Sequence, residues 1–214
     1  MKALIVGAAP VTGSESLLCE LAAECDLVVA ADAAAEWCVA AGVMPSLAVG
    51  DFDSAVSGAP DRLRSRGITV VEFPPEKDRT DLDLAVTIAC DAGATALVFT
   101  ACTAARIDHT LAALGTMSAH ADLCPVLREP HMSAWVVSPA AEIPFALSLP
   151  IGTTISVIPI GQVSGVTLTG FKYPLDQATL EPLSSHGLSN VTVDSRVTVS
   201  VRSGTLFVMQ ARDV

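Results

Sequence analysis

Carboxylates and cations gather in four short clusters in the first half of the chain. Their spacing suits the handling of phosphate with a metal ion. Asp51 and Asp53 stand two residues apart in Gly50-Asp51-Phe52-Asp53-Ser54. In an extended segment both can point the same way, and two close carboxylates repel unless a cation lies between them. A magnesium ion shared with substrate phosphates is one solution; a turn capped by Asp53 and Ser54 is the other. The second cluster is Lys77-Asp78-Arg79-Thr80-Asp81-Leu82-Asp83. Thr80 can cap a helix, and early acids complement its dipole. Lys77 and Arg79 disfavour a helix start unless an anion is near, and a phosphate would resolve that conflict. Arg106-Ile107-Asp108-His109 is the third cluster. Arg106 can fork onto phosphate, and Asp108 can bind a hydroxyl or fix Arg106. His109 is a structural hydrogen-bonding residue or a catalytic one. Asp32 is the fourth position, and alone it reads better as a helix cap than as a ligand.

Each cluster follows a short apolar run. Strands are expected at residues 3–6, 27–30, 47–49, 69–71 and 96–99. Helical stretches are expected at 14–24, 34–41, 80–91 and 107–119, with Leu82, Val86 and Ala89 on one face of the third. Such alternation predicts a parallel sheet covered on both faces. Ligands of open α/β sheets bind at the carboxyl ends of the strands, where these clusters lie. After about residue 130 the pattern changes to strands at 134–137, 154–158, 166–169, 191–193, 197–201 and 206–209. Pro150, Gly152, Gly161, Gly165, Gly170, Gly187 and Gly204 punctuate them. Short strands at regular spacing predict an antiparallel sandwich or barrel. The expected fold class is therefore α/β plus all-β, with an α/β domain over 1–135 and a β-sandwich over 136–214.

Bulk properties narrow the chemistry. The chain has 214 residues, 51% of them hydrophobic, and a net charge of -11. That balance excludes a general nucleic-acid binder, because phosphate backbones attract Lys and Arg. A single nucleotide stays compatible, since a local cluster of cations and metal can hold it. Cys19, Cys25, Cys38, Cys90, Cys102 and Cys124 form no C-x-x-C pair, and the histidines complete no zinc spacing. They read as reduced core thiols of a cytoplasmic protein. The apolar start is broken at Pro10, which suits a first strand better than a cleaved signal. No run is long enough to span a membrane. A Ser-His-Asp hydrolase lacks its G-x-S-x-G elbow, and no Walker-type phosphate loop occurs.

The ordered set resembles the thiamine pyrophosphokinase family. It comprises Ala31-Asp32, Gly50-Asp51-Phe52-Asp53-Ser54, Lys77-Asp78-x-Thr80-Asp81 and Arg106-x-Asp108-His109-Thr110-Leu111. Gly170-Phe171-Lys172-Tyr173-Pro174-Leu175 and Gly187-Leu188-Ser189-Asn190 are similar to that family's closing motifs. The resemblance implies transfer of pyrophosphate from ATP to the thiamine hydroxyl, leaving AMP, in a homodimer. It implies that Asp51, Asp53 and Asp81 hold Mg2+, and that Asp32, Lys77, Thr80, Arg106, Asp108 and His109 line the nucleotide site. Asp51, Asp81, Lys77 and Arg106 would be the catalytic set, with Asp51 or Asp81 accepting the hydroxyl proton. Ser189 and Asn190 would meet thiamine. The chain departs from the family at Ala33 and Ala34, Ala104 and Ala105, where glycines are usual, and at Ala113, where an Asn is usual. Alanine resists positive φ, which predicts an altered nucleotide pocket. Two alternatives are a protein that binds thiamine or its diphosphate without catalysis, and a diphosphokinase of the same fold with another acceptor.

Overall fold

Near-continuous apolar segments build the first sheet of the computed structural model, which describes residues 1–103, 106–140 and 144–211. The elements of the first part are β1 (Lys2–Val6), α1 (Glu15–Ala23), β2 (Leu27–Ala31), α2 (Ala34–Ala40) and β3 (Leu47–Gly50). They continue with α3 (Ala59–Ser65), β4 (Thr69–Glu72), α4 (Asp81–Asp91), β5 (Ala96–Thr100) and α5 (Ile107–Ala119). The strands pair in parallel in the order β5-β1-β2-β3-β4. Four consecutive residues of β1, β2 and β5 are buried or nearly so. Burial on both faces is why these strands are apolar runs instead of alternating ones. Leu4 and Val6 of β1 join Leu18, Leu21, Ala34, Ala35 and Cys38 of the helices in one core.

The remaining strands are β6 (Val126–Glu129), β7 (Met132–Val137), β8 (Phe145–Ser148), β9 (Thr154–Pro159) and β10 (Val163–Thr169). β11 (Leu175–Leu180), β12 (Asn190–Val191), β13 (Arg196–Ser200) and β14 (Leu206–Ala211) complete the chain. Antiparallel pairing joins β12, β9, β14 and β7 in that order. A second antiparallel sheet runs β11-β10-β13-β8. Ile155, Val157, Leu206 and Val208 of the first sheet share a core with Val166, Leu168, Val197 and Val199 of the second. Alternating burial along β9 and β13 matches two sheets facing each other. The expected sandwich is present.

The chain forms two compact units, Met1–Thr116 with Arg128–Pro130, and Met117–Leu127 with His131–Val214. The expected division at 135/136 falls inside β7, a continuous strand of the second unit. Cys19 and Cys124 are exposed, which corrects the view of them as core thiols. Cys38 does behave as core, and burial pushes its thiol up to about 12. Among the described residues, no helix is long and apolar enough to cross a membrane.

Candidate active site

The sheet order makes β1 a switch point. The chain builds outward through β2, β3 and β4, then returns to add β5 on the other side of β1. In open α/β sheets a ligand crevice lies at such a point, beyond the carboxyl ends of the strands. A cavity of about 710 Å³ lies there, its lining partly Gly7, Ala8, Ala9 and Pro10 after β1 and Ala101 and Cys102 after β5. Asp32, Asp53, Ser54, Lys77, Thr80, Asp81 and Arg106 supply the charged and hydroxyl share. His109, Ala112 and Ala113 add one face of α5. The ends of β1, β2, β3 and β5 and the starts of α4 and α5 thus bring the sequence clusters to one place.

Asp32 leaves β2 at a φ of 50°, a left-handed conformation that Asp tolerates better than most residues. Its backbone N–H donates to Val49 O at 2.8 Å, and it is 6% exposed. Gly50 makes this possible, since a Cβ there would lie 3.1 Å from Asp32 Cα. The Ser54 hydroxyl donates to Asp32 Oδ2, while Oδ1 is buried without a hydrogen-bond partner. The helix-cap reading of Asp32 is thereby corrected: α2 starts after Ala33 with no side-chain cap.

The Asp51–Asp53 segment is not extended, a second correction. Phe52 takes a φ of 57° and buries its ring, 8% exposed, in the α/β core. Carboxylate oxygens of Asp32, Asp51 and Asp53 all lie within 4.8 Å of one another. Three acids so close, one with a buried oxygen lacking any donor, form a donor set that fits a hard divalent cation. The structure thus adds Asp32 to the Asp51–Asp53 pair, and it links Asp81 to the pair through Lys77.

Lys77 Nζ sits between two carboxylates, 2.7 Å from Asp51 Oδ2 and 2.8 Å from Asp81 Oδ1. Hydrogen bonding to Lys77 holds the Asp51 carboxyl below its ordinary range. Burial raises that of Asp81, and Lys77 only partly offsets the effect. Thr80 caps α4 in a capping box: Asp83 N–H donates to Thr80 Oγ1 at 3.1 Å, and Thr80 N–H donates to Asp83 Oδ2 at 3.2 Å. The Thr116 hydroxyl of α5 donates to Asp83 Oδ1, so one carboxylate ties the two helices together. Arg79 has a different fate from Lys77. Its Nη1 donates to Thr87 Oγ1 at 3.2 Å, along α4, and it does not line the cavity.

Arg106 lines the cavity and is gripped by Asp108, with Nε 3.2 Å from Oδ1 and Nη2 2.6 Å from Oδ2. Of the two roles open to Asp108, fixing Arg106 is the one observed. That contact draws the Asp108 carboxyl down to about 2. Both groups are more than half exposed, so the pair orients the guanidinium more than it stabilises the fold. His109 also lines the cavity, and its backbone N–H donates to Asp108 Oδ1 at 3.0 Å.

Glu129 is a residue the sequence reading missed. It is 1% exposed and accepts from Cys102 N–H at 2.8 Å and Ala101 N–H at 3.3 Å. A lone Glu on a short strand carries no local signal of that role.

Ser189 and Asn190 lie in the second unit. Ser189 is exposed at a φ of 54°, and its N–H donates to Ser156 Oγ at 3.0 Å. Asn190 is 3% exposed and clasps the neighbouring loop: its Oδ1 accepts from Tyr173 N–H at 3.0 Å, and its Nδ2 donates to Tyr173 O at 2.7 Å. Oδ1 also accepts from Val191 N–H at 2.9 Å. Asn190→Ala should therefore destabilise the chain by about 1–2 kcal/mol, because partly buried backbone groups lose their partners. Urea unfolding is the check, and a loss under about 0.5 kcal/mol would show that water replaces the clasp.

With this geometry in view, comparison with known proteins decides the family. The profile of the thiamin pyrophosphokinase catalytic domain matches residues 18–126, and that of the thiamin pyrophosphokinase vitamin B1 binding domain matches 142–206. The chain belongs to the thiamin pyrophosphokinase family. Its reaction is the family's, transfer of pyrophosphate from ATP to thiamine. The curated thiamine pyrophosphokinase of Bacillus subtilis is 29% identical over 178 residues, 81% of each chain. A crystal structure of thiamine pyrophosphokinase from Bacillus subtilis superposes with a TM-score of 0.82 at 26% identity, over all of both chains. The yeast thiamin pyrophosphokinase shares the fold at 13% identity, with a TM-score of 0.78 over 99% of this chain and 86% of the yeast one.

Ala33 and Ala34 replace the family's usual glycines at positions whose backbone tolerates alanine. Ala33 has a φ of -60°, and Ala34 is a buried residue of α2, so neither is forced into a left-handed conformation. Alanine costs no backbone strain there. Ala113 is 4% exposed and adds an apolar patch to the cavity. Ala104 and Ala105 lie outside the described residues.

Proposed function

We propose that Asp32, Asp51 and Asp53 hold Mg2+ during pyrophosphate transfer, and that the cavity at the β1–β5 switch point takes ATP. The observation that carries this reading is the Asp32 carboxylate, buried beside two further acids with one oxygen lacking a donor. A magnesium ion there would offset charge on the phosphate oxygens of ATP. Lys77 and Arg106 bring the cations of the chain itself to the same cavity. Their role is to bind and orient the polyphosphate and to stabilise charge that develops on its oxygens. Asp108 keeps the Arg106 fork aimed, and Thr80 holds the start of α4 in place.

The thiamine hydroxyl must lose a proton as it attacks the β-phosphorus. Asp81 lines the cavity, and burial makes it more basic than Asp51. Asp81 is therefore the better proton acceptor. Ser189 and Asn190 are assigned to thiamine in a cytoplasmic homodimer. The same unit exposes the apolar side chains of Ile151, Tyr173, Leu188 and Val193, which supports a partner for it.

AMP formation from ATP and Mg2+, with and without thiamine, tests the whole reading. Thiamine-dependent AMP, matched mole for mole by thiamine diphosphate, is expected. Chelation of the metal should abolish it. AMP formed equally well without thiamine, or with another alcohol in its place, would transfer the activity to a different acceptor.

A further inference from the structure

We infer that Glu129 is a positioning residue that sets the affinity of the cavity for the nucleotide. The inference rests on the reading that this cavity takes ATP. Glu129 is held at the end of β6, within the first compact unit, and is nearly inaccessible to solvent. Its two carboxylate oxygens accept from the consecutive N–H groups of Ala101 and Cys102. Such a grip matters because Ala101 has a φ of 56°, a conformation that alanine adopts only under constraint. Charge-assisted bonds to two adjacent amides supply that constraint.

The effect reaches further than one turn. Gly7 N–H donates to Thr100 O at 2.9 Å, and Ala9 N–H donates to Ala101 O at 3.0 Å. The loop after β1 is thus stitched to the loop that Glu129 holds. Gly7 shows how close the two run, since a Cβ there would come within 2.5 Å of Ala101 O and 2.9 Å of Cys102 Sγ. Gly7, Ala8, Ala9, Pro10, Ala101 and Cys102 all line the cavity. One buried carboxylate therefore fixes both loops of the switch point, and they form part of the uncharged lining. The charged part depends on other anchors, namely Asp51, Asp81, Asp83 and Asp108. Loss of Glu129 should loosen nucleotide binding and leave Lys77 and its acids in place.

The test is Glu129→Gln in the full chain. The amide retains one acceptor but turns an NH2 group toward the second backbone N–H. Binding of the non-cleavable analogue α,β-methylene-ATP is measured by calorimetry, and KM for ATP and for thiamine by AMP release. The expected result is a Kd and a KM for ATP raised about tenfold, equivalent to about 1.4 kcal/mol, with KM for thiamine within about twofold of wild type. A folded variant with a lower Tm but an unchanged Kd for the analogue would reduce Glu129 to a fold residue and overturn the inference. Equal rises in both KM values would also overturn it. Should Glu129→Gln not fold, Glu129→Asp, with its shorter reach, carries the same test. The wild-type chain is titrated in parallel. Failure of the wild type to bind the analogue would overturn the assignment of the cavity to ATP, whereas wild-type binding with unchanged variant binding would overturn only the role of Glu129.

Discussion

Lys77→Met should lower kcat/KM by about a thousandfold, which corresponds to about 4 kcal/mol of lost transition-state stabilisation. Two losses combine in that number. The cavity loses a cation close to where the polyphosphate is proposed to lie. Asp51 and Asp81 also lose the shared ammonium that neutralises them, at 2.7 and 2.8 Å. Two partly buried acids left without a counter-charge repel each other and should draw apart, which disturbs the start of α4. Lys77→Arg separates the two losses. The guanidinium keeps the charge, but its planar fork does not fit the compact slot between two carboxylates. It should recover stability more fully than activity. Steady-state kinetics and thermal melts of both variants provide the check. A Lys77→Met enzyme within about tenfold of wild type would remove Lys77 from the catalytic set.

The large features of this fold were legible because they rest on runs of like residues. Buried parallel strands must be apolar throughout, so residues 3–6, 27–30 and 96–99 announced β1, β2 and β5. The helix at 107–119 was read with its observed bounds. The capping box of Thr80 and Asp83 was equally local, and Thr80 does cap α4. Misses occurred where burial is slight or mixed. α3 buries only Ala59 and Leu63 among its seven residues, and its arginines mask the pattern. β11 exposes Asp176, Gln177 and Thr179, so it lacks the alternation of a half-buried strand.

The site was legible as a set of residue types and illegible as a set of partners. Lys77 and Arg79 look alike in sequence, two positions apart. Only the fold separates them, because Lys77 finds Asp51 from 26 residues away whereas Arg79 finds Thr87 on the helix that follows it. Glu129 depends on the turn after β5, 27 residues away from Cys102. Asp32, too, meets its partners only through the fold. Its neighbours are Ser54 and Gly50, and nothing next to it in the chain marks a ligand.

Asp32→Asn distinguishes the metal set built by the fold from the one implied by family resemblance. The carboxamide can still accept from Ser54, so local packing should survive. Its NH2 group would replace the carboxylate oxygen that now lacks a donor, and would face the cation instead of binding it. Affinity for Mn2+, followed by its electron spin resonance signal without any turnover, should fall roughly a hundredfold, as expected when a ligand and its charge are both lost. The metal-free variant should melt higher than wild type, because one of three mutually repelling acids is neutral. Asp81→Asn should behave differently. Its direct partner is Lys77, so Mn2+ affinity should fall by less than about tenfold while turnover drops steeply. Reversal of that order, with Asp81→Asn abolishing Mn2+ binding and Asp32→Asn sparing it, would return the metal to Asp51, Asp53 and Asp81. The acid that loses most metal affinity is the one that shares the ion with Asp51 and Asp53, and the acid that loses turnover at near-normal affinity is the one that handles the proton.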